Sequence, residues 1–194
     1  DPNGNPSPEL AETWAISEDG TSYTFFLRKD VKWHDGEKFT ADDVIFTFTT
    51  VQALGDNDSY SSEFRNVEFK KLDNYTVSLS LPETNPALLD SLSLSIVPAH
   101  VFEGTQVSDI RFTDFNRFPI GTGPYSIKEN NRSFISLKAN SEYFKGIPKI
   151  AEIHLRFFAN EEEAIHALQK FEVHTLTEAS GNMIDEINQV PAYK

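Results

Sequence analysis

The sequence predicts a mixed α/β fold, and three observations carry that prediction. Leu10–Arg28 reads as strand, turn, strand. A capped helix begins immediately after Thr40. Residues 150–176 spell strand, helix, strand.

Residues 1–8 are turn formers and read as loop. Leu10–Ile16 is a short strand, and Glu18-Asp19-Gly20 supplies the turn, with glycine where a positive φ is tolerated. Ser22–Arg28 is rich in aromatic and β-branched residues and forms the partner strand. Val31-Lys32-Trp33 continues extended, and His34-Asp35-Gly36-Glu37 turns the chain. Thr40 then caps a helix with Asp42 and Asp43 at its second and third positions, where carboxylates complement the positive end of the helix dipole. Val44, Ile45, Phe48 and Val51 recur at helical spacing and define one apolar face. Gly55–Ser59 ends the element.

Asn66–Leu72 and Tyr75–Leu81 form a hairpin around Asp73-Asn74, and Val77, Leu79 and Leu81 alternate with serines as a half-buried strand requires. Pro86–Leu94 is a short helix, followed by Ile96-Val97-Pro98 and a loop-rich stretch to Pro119. Gly121-Thr122-Gly123-Pro124 turns into a strand, Tyr125–Glu129, paired with Phe134–Ala139. Ile150–Phe157 is an apolar strand. Asn160 caps a helix whose buried face is Ala164, Ile165, Leu168 and Phe171, and Val173–Leu176 is a final strand. A right-handed parallel crossover is the expected geometry. A last short helix spans Met183–Val190.

The 194 residues suit one large domain or two small ones. Thirty acidic against seventeen basic residues leave a formal charge of −13, which repels nucleic acid and anionic membranes and excludes both as primary partners. The chain has no cysteine, so disulfides and thiolate metal sites are excluded. No apolar stretch approaches the roughly 18 residues needed to span a bilayer. Asp1 opens a polar stretch rather than a signal peptide.

No catalytic set assembles from these residues. Gly121-Thr122-Gly123-Pro124 has no third glycine and no following helix, as a phosphate-binding loop would need. No pair among His34, His100, His154, His166 and His174 has the i, i+4 spacing of a helical metal site. His34 reads as a surface turn residue, and His154 and His174 as neighbours on parallel strands. Glu161, Glu162 and Glu163 point about 100° apart and cannot converge on one ion, so they complement the helix dipole. Phe25, Phe26, Trp33, Phe39, Phe46 and Phe48 are mainly core. No cofactor or metal is expected.

An ordered set of motifs runs through the chain. Leu10-Ala11-Glu12-Thr13-Trp14, Phe25-x-Leu27-Arg28-Lys29, Val31-Lys32-Trp33-His34-Asp35-Gly36 and Thr40-Ala41-Asp42-Asp43-Val44 follow one another. Ile96-Val97-Pro98-Ala99-His100, Gly121-Thr122-Gly123-Pro124-Tyr125 and Asn140-x-x-Tyr143-Phe144-x-Gly146 come later in the same order. Together they resemble extracellular solute-binding protein family 5, the substrate-binding components of peptide and nickel ABC importers. The sequence departs from the family's usual Gly-Glu-x-Asp at Phe171-Glu172-Val173-His174.

The resemblance implies a periplasmic-binding-protein type II-like fold, with residues 1–98 a small inserted α/β lobe and residues 99–194 part of one main lobe. It implies a fragment that lacks the family's opening strand and C-terminal lobe. The function it implies is that of a binding module that captures an oligopeptide outside the cytoplasm and delivers it to membrane permease subunits; a hydrolase or metal enzyme on an α/β scaffold is the alternative from another class. Nickel chelates or oligosaccharides are the alternatives within the family. Tyr60, Ser91, Ser93, Thr177 and Glu178 are the ligand-facing candidates. An incomplete sheet in the isolated chain would favour dimerisation or strand exchange.

Overall fold

The computed structural model describes residues 5–55 and 59–177, the side chains of residues 59 and 60 excepted. Met183–Val190, expected as a helix, lies outside the described residues. Two compact units form: residues 5–127 with 138–152, and residues 128–137 with 153–177.

The first unit is built on a four-stranded antiparallel sheet, in the order β1-β2-β4-β3. Its strands are β1 (Ala11–Ile16), β2 (Ser22–Leu27), β3 (Glu68–Asp73) and β4 (Thr76–Ser80). The β1–β2 register sets Ile16 opposite Tyr23, and Gly20, at φ 68°, closes the turn between them. A side chain on Gly20 would be strained by that φ, and its Cβ would come within 3.1 Å of Thr84 Cγ2. Helix α1 (Ala41–Ala53) and the shorter α2 (Ser59–Phe64) lie between β2 and β3 in the chain.

Alternation decides which face of the sheet is inside. Tyr23, Leu27, Val77 and Leu79 are buried, whereas Ser78, Ser80 and the exposed Phe26 belong to the other face. Phe26 is thus the exception among the aromatics expected in the core. Phe48 of α1 stacks on Phe69 of β3 at 4.4 Å and meets Phe64 of α2 edge-on at 5.0 Å. Aromatic contacts of this kind add to burial alone. Phe39, fully buried, joins the same cluster. The helix expected over Pro86–Leu94 is only α3 (Leu88–Ser91), and short 3-10 turns occupy 99–102, 107–112 and 114–116.

A three-stranded sheet follows: β5 (Tyr125–Asn130), β6 (Phe134–Ala139) and β7 (Glu152–Arg156), in that order. Bonds from Ala139 N–H to Ala151 O and from Phe157 N–H to Ser133 O make β7 antiparallel to β6. In the second unit, Asn160 Oδ1 accepts from Glu163 N–H at 2.9 Å and caps α4 (Glu161–Gln169).

Three expectations fail in this region. Residues 173–176 form no strand among the described residues, so the strand–helix–strand unit stops after its helix. A strand exists only with a ladder partner, and none lies beside this segment among the described residues. His154 and His174 are therefore not neighbours on parallel strands. Phe171 is 64% exposed rather than part of the buried face of α4. Helix α4 ends at Gln169, and Phe171 sits just past it at φ 59°. There its N–H bonds Leu168 O while Glu172 N–H bonds Ala167 O, the reverse turn that closes a helix through a left-handed residue.

That position costs a non-glycine residue roughly 1–2 kcal/mol. Phe171→Gly is therefore expected to stabilise α4 by about 1 kcal/mol, read as slower amide exchange across Ala164–Leu168; unchanged or faster exchange would show the left-handed turn to be unstrained.

Candidate functional site

The motifs that are scattered through the sequence close on one another within the first unit. The centre is Asp43, only 3% exposed. Its Oδ2 accepts from Thr40 N–H at 2.9 Å, while Thr40's hydroxyl accepts from α1's N-terminal amides, completing a capping box. The same Oδ2 accepts from the Trp33 indole at 3.3 Å, and Oδ1 from Ala99 N–H at 2.8 Å. One turn on, Thr47 Oγ1 accepts from Val97 N–H at 3.0 Å. Positions four apart on a helix share a face, so Asp43 and Thr47 grip the Val97-Pro98-Ala99 segment by the two amides flanking the proline, which has none.

His34 forms the second clasp. Its N–H donates to Gly121 O at 2.9 Å, and its Nδ1 accepts from Gly121 N–H at 3.1 Å. That acceptor role places the ring proton on Nε2, which donates to Gly123 O at 3.0 Å. Asn140 Nδ2 donates to the same carbonyl at 3.1 Å, and Asn140 N–H to Pro124 O at 2.8 Å. His34 is therefore half-buried and structural rather than a free surface turn residue. Its spacing from Gly121 hid this, because the two lie 87 positions apart.

Polar side-chain pairs surround these clasps. His100 Nε2 lies 2.7 Å from Asp35 Oδ2, and Lys32 pairs with Glu142. The Arg28 guanidinium binds Asp30 and sits 5.0 Å above the Phe144 ring. Burial pushes the Asp35 carboxyl up, but the bonds from His100 and Glu37 N–H outweigh it and hold the group below the ordinary aspartate value. Nothing in this network juxtaposes a nucleophile, a base and a stabilising donor; it fixes loops. Among the described residues no three His, Asp or Glu side chains gather as a metal site, and no helix is long and apolar enough to cross a membrane.

The expected ligand-facing residues are placed as follows. Ser91 is half-buried at the end of α3, with Oγ 3.4 Å from Ala87 O, and Ser93 is exposed two residues on. Thr177 is exposed in the second unit. The side chain of Tyr60 and all of Glu178 lie outside the described residues. The structure brings Ser91 and Ser93 near each other only as chain neighbours.

Sequence reasoning missed an apolar trough of about 580 Å3, where Ser93 lies at the lining beside Leu92 and Leu94. The signal was present in Leu92-Ser93-Leu94-Ser95-Ile96: strand-like alternation that was assigned in part to a helix.

A family model described as bacterial extracellular solute-binding proteins, family 5, middle part, matches residues 5–194. The chain belongs to this family. The oligopeptide-binding protein AppA of Bacillus subtilis is 30% identical over 177 residues, covering 88% of this chain and 32% of AppA. Among solved structures, the ABC transporter substrate-binding protein CtaP of Listeria monocytogenes superposes with a TM-score of 0.80 at 34% identity, covering 86% of this chain and 35% of CtaP. NikZ of Campylobacter jejuni, solved in complex with Ni(L-His), gives 0.76 at 31% identity, with 87% and 35% covered. The fold is thus part of a type II periplasmic-binding-protein fold, and the chain spans about a third of the length of the curated relatives it matches.

Two outcomes test the network. Asparagine at 43 offers one oxygen to three donors and turns an amide toward the rest, so Asp43→Asn should cost about 2–3 kcal/mol in urea unfolding; a loss below 0.5 kcal/mol would show that the three bonds are dispensable. Because the folded Asp35 carboxyl binds its proton more weakly than the unfolded one, its contribution is present above about pH 4 and is lost as pH falls through the lower, folded value. Asp35→Asn should therefore flatten part of the fall in melting temperature below about pH 4 and leave the remaining acid slope intact.

Proposed function

We propose that this chain is part of the substrate-binding component of an ABC importer, which captures oligopeptides outside the cytoplasm and delivers them to membrane permease subunits. Family membership over residues 5–194 is the observation that carries this reading. The oligopeptide-binding relative supports the ligand class. The role is binding rather than catalysis, in keeping with relatives named for binding. In this reading residues 1–98 belong to the small inserted lobe and residues 99–194 to part of a main lobe. Solute would be held in a cleft that closes about a hinge.

Tyr60, Ser91, Ser93, Thr177 and Glu178 are the ligand-facing positions of the proposal. Ser93 and Thr177 have exposed side chains, as ligand contact requires. Glu178 would pair with a cationic group, and Tyr60 would line the cleft with its ring. One finding favours a second ligand class: the structure of NikZ holds Ni(L-His). Nickel chelates are therefore the competing solute for the same cleft.

The isolated chain is also proposed to self-associate. Strand β7 ends the order β5-β6-β7, and the side chains of Leu155 and Phe157 are exposed, a combination that invites pairing with another chain.

Calorimetric titration of a family-length protein containing this chain with mixed oligopeptides, with residues 1–194 alongside, tests the reading. The longer protein should bind, and residues 1–194 should bind at least about a hundredfold more weakly, a difference of ~2.7 kcal/mol. Tight binding by residues 1–194 alone would put the whole site within them. Binding of Ni-histidine but no peptide would move the ligand class, and a monomeric mass by light scattering would remove the self-association.

A further inference from the structure

His34 and His100 are the two histidines of the first unit, one within the turn from Trp33 to Glu37 and the other bonded to it. Their bonds differ in kind. At His34 the Gly121 amide donates to Nδ1 at 3.1 Å, and Nε2 donates to Gly123 O at 3.0 Å. A neutral imidazole has one lone pair and one proton, and this arrangement uses both. At His100 the Nε2 meets a carboxylate oxygen, Asp35 Oδ2, at 2.7 Å. That bond needs only a donor, which neutral and protonated rings both supply.

The ring of His34 is half-buried and closely fitted, since a Cβ on Gly121 would lie 3.4 Å from its Cε1. Residues 119–124 bring no charged side chain to it. The charged groups on the other segments that meet around the two rings are engaged or exposed. Lys32 pairs with Glu142, Asp35 with His100 and Asp42 with Lys71, and Asp43 accepts from the Trp33 indole. Glu37, Lys38 and Glu103 are exposed. The Trp33 ring meets His100 edge-on at 6.5 Å.

Protonation at Nδ1 turns the His34 acceptor into a donor aimed at another donor, the Gly121 N–H, and that bond is lost. The Asp35–His100 pair does not suffer the same loss. Burial pushes the Asp35 carboxyl up, but the bonds from His100 and the Glu37 amide hold it down more strongly, so it stays ionised through the range in which histidine titrates. We propose that His34 is an acid-released latch on the Gly121–Pro124 loop, and that the Asp35–His100 pair keeps the turn in place when the latch opens. The bond from His34 N–H to Gly121 O does not depend on the ring's charge, and Asn140 still holds Gly123 O and Pro124 O. The loop therefore loosens without detaching. This device goes beyond the binding role and does not depend on it.

Amide exchange in a family-length protein containing this chain, read by mass spectrometry and corrected for the intrinsic rate at each pH, tests the latch. A free imidazole titrates near about 6.5, so mass action favours a released ring about thirtyfold more at about pH 5 than at about pH 7.5. Protection at Gly121 should therefore fall at least about tenfold over that interval. Gly36 N–H, bonded to Trp33 O in the turn, and Leu27 N–H, bonded to Tyr75 O, should change less than about threefold. His34→Asn keeps an acceptor oxygen at the place of Nδ1 and does not titrate, so its Gly121 protection should be flat. His100→Gln keeps a donor to Asp35 and should leave the response as it is. A flat profile in the unmodified protein would overturn the proposal. So would an equal loss at Gly36 and Leu27, because acid would then be loosening the whole unit. A response that persists in His34→Asn or vanishes in His100→Gln would move the sensor away from His34 and overturn it as well. Should His34→Asn fail to fold, the unmodified protein and His100→Gln decide the matter. No readout involves solute, so the outcome is independent of the binding role.

Discussion

One buried carboxylate holds the first unit together. Asp43 accepts hydrogen bonds from its own cap residue Thr40, from Trp33 ten residues earlier and from Ala99 56 residues later. Charge-assisted bonds to an ionised acceptor are roughly twice as strong as neutral ones, and two carboxylate oxygens have lone pairs enough for all three donors. The helix N-terminus adds a favourable field at the same place. Without this group the indole and the Ala99 amide would be buried without partners, a larger loss than the bonds themselves. Thr47 repeats the arrangement one turn later at Val97. The start of α1 thus serves as an anchor for distant chain as well as the beginning of a helix.

Features written over a few residues were legible in the sequence, and features that depend on distant chain were not. The Thr40 cap, the Gly20 turn, the β3–β4 hairpin and the Asn160 cap each depend on neighbours within about five positions, and each forms as expected. Asp43 was read only as a dipole complement, because its bond to Ala99 spans 56 residues. His34 was misread for the same reason. Residues 173–176 have strand composition, yet a strand is a relation between two segments and composition supplies only one of them. Phe171 falls on the helical spacing of the buried face, but periodicity does not show where a helix ends.

The same limit applies to the candidate site. Tyr60, Ser91, Ser93, Thr177 and Glu178 came from family resemblance, since no local pattern marks a residue that faces a ligand. What the structure does define is the support such residues would need. The clasps at Asp43, His34 and Asn140 immobilise loops rather than present reactive groups. A binding lobe benefits from this rigidity, because loop ordering on association would subtract from affinity. The acidic surface and the largely apolar trough are separate features.

The strand order β1-β2-β4-β3 has a consequence for the growing polypeptide. Strand β4 lies between β2 and β3, yet it is the last of the four to leave the ribosome. Until Thr76–Ser80 emerges, β2 has only β1 as a strand partner and β3 has none. Helix α1 can cap itself early through Thr40 and Asp43, but the Ala99 amide reaches that carboxylate some twenty residues after β4 is complete. At roughly 5–20 residues per second of synthesis, the half-built sheet is exposed for seconds before its central strand slots in. The nascent chain is therefore open to chaperone capture over this interval, and a pause in translation before the codon for Thr76 would prolong it.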